Sequence, residues 1–264
     1  MKKAILITGS TDGIGLLTAK KLAAEGHTVL LHGRNEAKLS KAAADVEGNV
    51  ETYRADLSEM DEVKNLAANV LENHKQLDVL INNAGVLKTP KPILDNGLDI
   101  RFVVNTFAPF LLTELLLPII PIDGRIVNLS SAAQAPVNIE AMHGKLQLDE
   151  MTAYAQSKLA ITSWTREWAK EKPEGPAFIA VNPASLLASK MVKKGFGVAG
   201  KDMNIGANIL CAAVLDERFA DASGQYFDND IGQFSDPHPA ALDTSHAAEV
   251  MRTIRQFVPG PVDM

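Results

Sequence analysis

Tyr154 and Lys158 stand four residues apart in Thr152-Ala153-Tyr154-Ala155-Gln156-Ser157-Lys158, within a segment of helical period that runs to about Ala169. Positions i and i+4 of a helix share one face, so a phenol and an ammonium can reach a common site. Such a pair can move a proton. A phenol has an ordinary pKa near 10, and acid–base work near neutrality needs it about 3 lower, a differential stabilisation of about 4 kcal/mol. One close cation lowers an acid by about 1 to 3, and a second positive charge can supply the rest. Many helices carry a Tyr and a Lys at this spacing, so on the pair alone an ordinary surface contact is the better reading.

A second chemistry-bearing stretch is Thr8-Gly9-Ser10-Thr11-Asp12-Gly13-Ile14-Gly15, between an apolar run and a helix-period segment, 16–25. Glycines let the chain turn tightly and bring backbone N–H groups up to a pyrophosphate, while the positive end of the following helix points at the anion. The spacing Gly-x-x-x-Gly-x-Gly differs from the Gly-x-Gly-x-x-Gly fingerprint. No Gly-Lys-Ser/Thr follows, which excludes a Walker-type P-loop. The next strand ends in His32-Gly33-Arg34-Asn35, where dinucleotide folds read the ribose 2′ position. Arg34 offers a forked, permanently charged donor to a phosphate, and no carboxylate occupies that strand end. NADP is therefore expected, with NAD as the alternative. Asp12 puts a negative charge inside the turn, and a solvated Arg34 at the start of a helix is the plain competing reading.

These residues need a frame to hold them. Short apolar runs alternate with helix-period segments, the pattern of βαβ units and a parallel sheet covered on both faces. Candidate strands are 4–8, 28–32, 50–54, 79–82, 125–129, 178–182 and a short 225–227. Helices are expected to begin near Gly13, Glu36, Glu59, Leu98, Met151 and Ala207. The fold class is α/β, a single-domain Rossmann-like doubly wound sheet of about seven strands. Right-handed crossovers put the strand C-terminal ends, and hence the site, on one edge. The irregular stretches 132–150 and 184–200 are longer than ordinary connections, and the second is expected to be a substrate lid. Residues 236–264 read as a C-terminal loop and tail.

Bulk properties narrow the function. The chain has 264 residues, 46% of them apolar and 22% charged, enough for a full core. A net charge of −6 supplies no basic field for nucleic acid. The start MKKAILITGS lacks the h-region and cleavage site of a signal peptide, and the apolar stretch 110–120 is interrupted by Glu114 and Pro118, so no membrane span is expected. One cysteine and six histidines show no metal-ligand spacing, which fits a cytoplasmic location and no metal. The run Asp228-Asn229-Asp230-Ile231-Gly232 has some of the character of a calcium loop, but its glycine comes one place early and Pro239 occupies the last ligand position.

Taken in order, the glycine turn, Asn82-Asn83-Ala84-Gly85 at a strand end, Asn128-Leu129-Ser130-Ser131 after the fifth strand, and Tyr154 with Lys158 closely resemble the short-chain dehydrogenase/reductase family pattern TGxxxGxG, NNAG, Ser, YxxxK. The resemblance runs from about residue 3 to 230. It implies hydride transfer between a nicotinamide and a carbonyl or alcohol carbon. By that resemblance Tyr154 is the proton donor, Lys158 assists it and holds the nicotinamide ribose, and Ser131 polarises the substrate, with Ser130 as the competing choice. Asn105 matches the asparagine that holds a relay water, its alternative being a buried amide bonded to backbone. The cofactor is implied to lie along Gly9 to Gly15, Arg34, Asn35, Asp56, Leu57, Asn83, Ala84, Gly85, Pro183, Ala184 and Leu186.

The family commonly has Pro-Gly after the sixth strand, whereas this chain has Pro183-Ala184, which puts a Cβ beside the nicotinamide; Ser189 could still supply the hydroxyl of that loop. The spacing from Ser131 to Tyr154 resembles that of retinol-dehydrogenase-like branches. Leu186, Leu187, Met191, Val192 and Phe196 are expected to wall a hydrophobic pocket or to pack the lid onto its own protein. The resemblance also implies a homo-oligomer joined through the helices after the fourth and fifth strands. The competing functions are a cofactor-binding sensor or scaffold without turnover and a nucleotide-sugar epimerase or dehydratase.

Overall fold

The computed structural model describes residues 1–188, 193, 197 and 199–258. One sheet contains β1 (Ala4–Ile7), β2 (Thr28–Gly33), β3 (Asn49–Arg54), β4 (Val79–Asn82), β5 (Arg125–Leu129), β6 (Ala177–Asn182), β7 (Tyr226–Asp228) and β8 (Gln233–Ser235). Their spatial order is β3-β2-β1-β4-β5-β6-β7-β8. The first seven run parallel, and β8 returns antiparallel beside β7. Strand order reverses between β1 and β4, which opens a crevice at the carboxyl ends of those strands.

While the edge strands β3 and β8 are polar and partly exposed, the inner strands β1, β2, β4, β5 and β6 read as largely apolar runs because both faces are covered. Their period-two alternation sends Leu6, Leu30, Leu80, Ile126 and Phe178 into one core, and Ile5, Ile7, Val29, Ile81 and Val127 into the other. Helices α1 (Gly13–Ala24), α2 (Glu36–Asp45) and α8 (Met203–Leu215) contribute to the second core. The first core is built with α3 (Met60–Asn73), α4 (Ile100–Phe102), α5 (Ala108–Leu116), α6 (Ile139–Met142) and α7 (Glu150–Glu171). A π-helical turn, Val103–Phe107, joins α4 to α5. Side-chain caps from Asp12, Asn35, Asp149 and Asp202 start α1, α2, α7 and α8 by accepting exposed amide protons. The stretch Ile100–Ile119 is long and apolar enough to cross a membrane, but 72% of that window is buried inside the fold.

Two expectations are corrected. The sheet has an eighth strand, β8, which is only three residues long and forms at the sheet edge by pairing Phe234 with Phe227. So short a segment has no periodicity to reveal it. The C-terminal region expected as loop and tail over 236–264 contains a 14-residue helix, α9 (Thr244–Phe257), capped by Asp243. Val250, Met251 and Ile254 enter the first core, Phe257 stacks on Phe107 at 5.2 Å, and Arg255 pairs with Glu171 at 2.6 Å. Thus α9 packs against α7 and the π-turn. Ser189, Met191, Val192, Phe196 and Pro259-Gly260-Pro261 lie outside the described residues.

Candidate active site

A cavity of about 670 Å³ opens along the carboxyl ends of β1, β2, β4, β5 and β6. Its size falls in the range of small-molecule sites. Arg34, Asp56 and Leu57 line one end; Gly9, Thr11, Asp12, Gly13, Ile14 and Gly15 line the wall beside Asn83, Ala84 and Gly85. Ser131, Tyr154, Lys158, Pro183, Ala184 and Leu186 complete it. Residues separated by more than 150 positions therefore share one wall.

The glycine turn is tied to the strand beside it. Thr8 Oγ1 accepts the amides of Asn83 and Ala84, both at 3.0 Å, and Asn83 Nδ2 donates to the carbonyls of Thr8 and Gly9 at 2.7 and 3.0 Å. This closeness dictates Gly15, where a Cβ would lie 2.4 Å from Asn83 Nδ2 and 2.7 Å from the Gly9 carbonyl. Gly13 has φ +59°, and a Cβ there would stand in open space within the cavity wall. The turn is therefore a cradle whose glycine backbone borders the space a diphosphate would fill, so these residues fit a dinucleotide.

His32 clamps the same turn from behind and was not apparent from sequence. Its Nδ1 accepts the Gly9 amide at 3.1 Å, and its Nε2 lies 3.1 Å from the Ala55 carbonyl, so Nε2 carries the proton. Burial pushes the imidazole down to about 4, against upward pulls from the Ala55 carbonyl and the Asp56 carboxylate. An unfolded His takes up its proton near pH 6.5 and the folded one only near 4, so the unfolded chain binds more protons in that window. Stability present above pH 6.5 is lost as pH falls toward 4, by about 3 kcal/mol from this residue. In His32→Gln, urea midpoints measured from pH 7 to 4.5 should show a flatter acid slope; an unchanged slope would place the acid sensitivity elsewhere.

Two of the expected cofactor residues do not line the cavity. The Ser10 hydroxyl is fully buried and accepts the His32 amide at 2.9 Å. Asn35 instead caps α2 by accepting from the Lys38 amide. Arg34, by contrast, is 67% exposed along its side chain and stands 3.8 Å from Asp56. The other oxygen of Asp56 accepts from the amide and hydroxyl of Ser58.

At the opposite end, α7 lays Tyr154 and Lys158 against the end of β5. Lys158 Nζ donates to the Leu129 carbonyl at 2.7 Å and sits 5.7 Å from the Tyr154 ring centre. The two adjacent serines diverge. Both border the cavity, but Ser130 is buried with its hydroxyl 2.6 Å from that of Thr162, whereas the Ser131 hydroxyl interacts with the Tyr154 phenol. Tyr226 on β7, another residue sequence reasoning missed, donates its hydroxyl to the Ser131 carbonyl at 3.2 Å.

Burial pushes the Tyr154 phenol up, and the Ser131 hydroxyl pulls it partly back. Burial also pushes the Lys158 ammonium down to about 8. The lowering of Tyr154 expected from Lys158 does not dominate among the protein's own groups, because withdrawal from water favours the neutral form of both.

Asn105 lies at the centre of the π-turn and is fully buried. Its Oδ1 accepts the Val86 amide at 2.8 Å, while Nδ2 donates to the Val86 carbonyl and the Ser157 hydroxyl, both at 3.0 Å. The side chain thereby joins the segment after β4 to the helix bearing Tyr154. A π-turn shifts the hydrogen-bond register by one, the departure from α geometry that recurs at functional sites.

The loop after β6 holds two residues in the left-handed region, Ala184 at φ +118° and Leu186 at φ +57°. Each such non-glycine conformation costs about 1–3 kcal/mol and persists only where surrounding contacts enforce it. Lys201 pairs with the end of this loop: Lys201 N donates to the Leu186 carbonyl and Ala188 N to the Lys201 carbonyl.

A doubly wound sheet with a glycine cradle at its switch point and a Tyr, Lys and Ser at the far end of one crevice defines a dinucleotide-dependent oxidoreductase. Residues 3–196 match the short chain dehydrogenase family model, and the chain belongs to the short-chain dehydrogenase/reductase family. It is 32% identical over 251 residues to retinol dehydrogenase 13 of Homo sapiens, covering 86% of this chain and 76% of that protein. An uncharacterized protein from Mycobacterium paratuberculosis has the same fold with a TM-score of 0.82 and 26% identity, covering 98% of this chain and 95% of the other. The promiscuous reductase LugOII, which catalyses keto-reduction at C1 during lugdunomycin biosynthesis, aligns with a TM-score of 0.68 and 27% identity, over 86% of this chain and 96% of its own. The protein is thus an oxidoreductase acting on CH–OH or C=O groups with a nicotinamide cofactor.

Proposed function

We propose that the chain is an NADP(H)-dependent carbonyl reductase for small to medium, partly apolar carbonyl compounds, with the corresponding alcohol oxidation as its reverse. The observation that carries this reading is the convergence of Ser131, Tyr154 and Lys158 at one end of a cavity whose other end presents Arg34. Val86, Leu87, Pro90 and Val104 line the cavity as well and suit an apolar substrate body. The names of retinol dehydrogenase 13 and the keto-reducing LugOII agree with an alcohol/carbonyl substrate.

When bound, the nicotinamide supplies or accepts the hydride. The Ser131 hydroxyl donates to the substrate oxygen as negative charge builds there, and the Tyr154 phenol transfers its proton to that oxygen. A phenol that burial keeps protonated suits the donor role. The nearby Lys158 ammonium stabilises the phenolate left behind. The Asn105 side chain is committed to Val86 and Ser157, which fixes the helix bearing Tyr154 relative to the segment after β4.

Arg34 is the group proposed to bind the 2′-phosphate, since its fork is exposed and only loosely held by Asp56. Wild type should therefore prefer NADPH to NADH. Arg34→Ala should lose about tenfold or more in kcat/KM for NADPH with little change for NADH, consistent with loss of a charge-assisted contact. Equal losses with both cofactors would remove the NADP assignment. The activity itself is tested by following NADPH consumption with a panel of aldehydes, ketones and quinones. Demonstrable NADPH binding without turnover of any of them would favour a cofactor sensor over a reductase.

A further inference from the structure

The turn between β7 and β8, whose Asp-Asn-Asp run has the look of a cation loop in sequence, is occupied with the chain's own backbone. Asn229 N donates to the Asn182 carbonyl at 3.1 Å, and Asn229 Nδ2 to the Pro183 carbonyl at 3.0 Å. Asp228 Oδ1 accepts from Asn182 Nδ2 at 2.8 Å and from the Asp230 amide at 3.0 Å. Asp230 makes the densest set of contacts. Its carboxylate accepts from the Ser185 amide at 3.0 and 3.1 Å, the Ser185 hydroxyl at 2.5 Å, Asn182 Nδ2 at 3.0 Å and Lys201 Nζ at 3.4 Å.

Those donors surround one place. Ser185 lies between Ala184 and Leu186, the two residues with positive φ, and all three line the cavity beside Tyr154 and Lys158. Lys201 is tied to the same stretch through its backbone bonds to Leu186 and Ala188. Where a glycine would adopt φ +118° freely, this chain has an alanine, so something must hold the loop in that shape. Asp230 is the charged group that grips its middle.

We propose that Asp230 is a positioning residue that holds the strained loop 183–186 in the shape that borders the nicotinamide end of the cavity, taking the place of the conformational freedom a glycine at 184 would supply. Burial alone pushes the Asp230 carboxyl up, but the hydrogen bonds from Ser185, Asn182 and Lys201 outweigh it and hold the carboxyl below its usual range, as expected of an anion its neighbours stabilise. The idea rests on the cavity being a nicotinamide dinucleotide site. It does not depend on which carbonyl compound is reduced.

The test is a two-by-two set: wild type, Asp230→Asn, Ala184→Gly and the double variant, each read by calorimetric NADPH binding, thermal midpoint and amide hydrogen exchange at Ser185 and Leu186. Asp230→Asn should weaken binding about tenfold, in line with loss of a charge-assisted hydrogen bond. It should also speed exchange at those two amides while the sheet amides stay protected. In the Ala184→Gly background the same substitution should weaken binding by a much smaller factor, because the loop then adopts its shape without being forced. The same weakening in both backgrounds, unchanged exchange at Ser185 and Leu186, or a uniform rise in exchange across the sheet would overturn the proposal. Failure of wild type to bind NADPH or NADH would instead overturn the reading of the cavity, while exchange at the two amides still reports on the anchor.

Discussion

Tyr154→Phe should bind NADPH as wild type does and lose turnover by about 10²- to 10⁴-fold, the usual worth of a positioned general acid. The substitution removes one oxygen and little else. The ring that borders the cavity and faces Lys158 Nζ at 5.7 Å remains, as does the bond from Lys158 to the Leu129 carbonyl. Helix α7 is anchored independently of the phenol: Ser157 accepts from Asn105, the Ser157 carbonyl accepts from Thr106 Oγ1 at 3.0 Å, and Trp164 is fully buried. A large fall in kcat at unchanged cofactor affinity and thermal midpoint therefore isolates the proton-donating role. Retention of more than a tenth of wild-type turnover would mean that another group protonates the substrate oxygen. Ser131, whose hydroxyl interacts with the phenol, would then be the first to examine.

Arg101→Met should destabilise the fold by about 3–5 kcal/mol, the range for removing one partner of a buried ion pair, measured as a shift in urea midpoint at constant m-value. Arg101 and Asp99 side chains are 2% and 7% exposed, and the guanidinium holds the carboxylate through two nitrogens, with Nε to Oδ1 at 2.8 Å and Nη2 to Oδ2 at 2.5 Å. Its remaining nitrogen reaches the Leu87 carbonyl at 3.4 Å. Removing the cation strands a carboxylate that also caps α4 by accepting the Arg101 amide. The pair braces the cavity as well, since Leu87 and Ile100 both line it. Asp99→Asn combined with Arg101→Met should recover part of the loss, because no charge is then left buried and alone. A loss below about 1 kcal/mol would show that water reaches the pair.

Much of this arrangement was legible along the chain because the signals are local. Short apolar runs bounded by turn residues announced β1, β2, β4, β5 and β6, the strands inside the sheet that are covered on both faces. The i,i+4 spacing put Tyr154 and Lys158 on one helix face, and the glycines of the first turn marked a close approach of backbone to a ligand. The order of these motifs pointed to the family before any contact was known. Helix α9 was legible in principle: Ala247, Val250, Met251 and Ile254 recur at helical spacing behind the Asp243 cap, but the nearby prolines drew the reading toward a tail.

Other features depend on contacts that no local pattern encodes. His32 and Ser10 interact across 22 positions, Tyr226 reaches Ser131 across 95, and Asp230 grips Ser185 across 45. Only the folded chain could say that the Ser131 hydroxyl and not that of Ser130 meets the Tyr154 phenol, because Thr162 engages the inner serine. Nor could spacing show that burial pushes the Tyr154 phenol up and the Lys158 ammonium down. Sequence by itself determined which residue types stand at strand ends and on shared helix faces, because backbone periodicity settles that within a few residues. Tertiary structure alone decided which of them meet, which are withdrawn from water and which are held in strained shapes, because those follow from packing distant segments together.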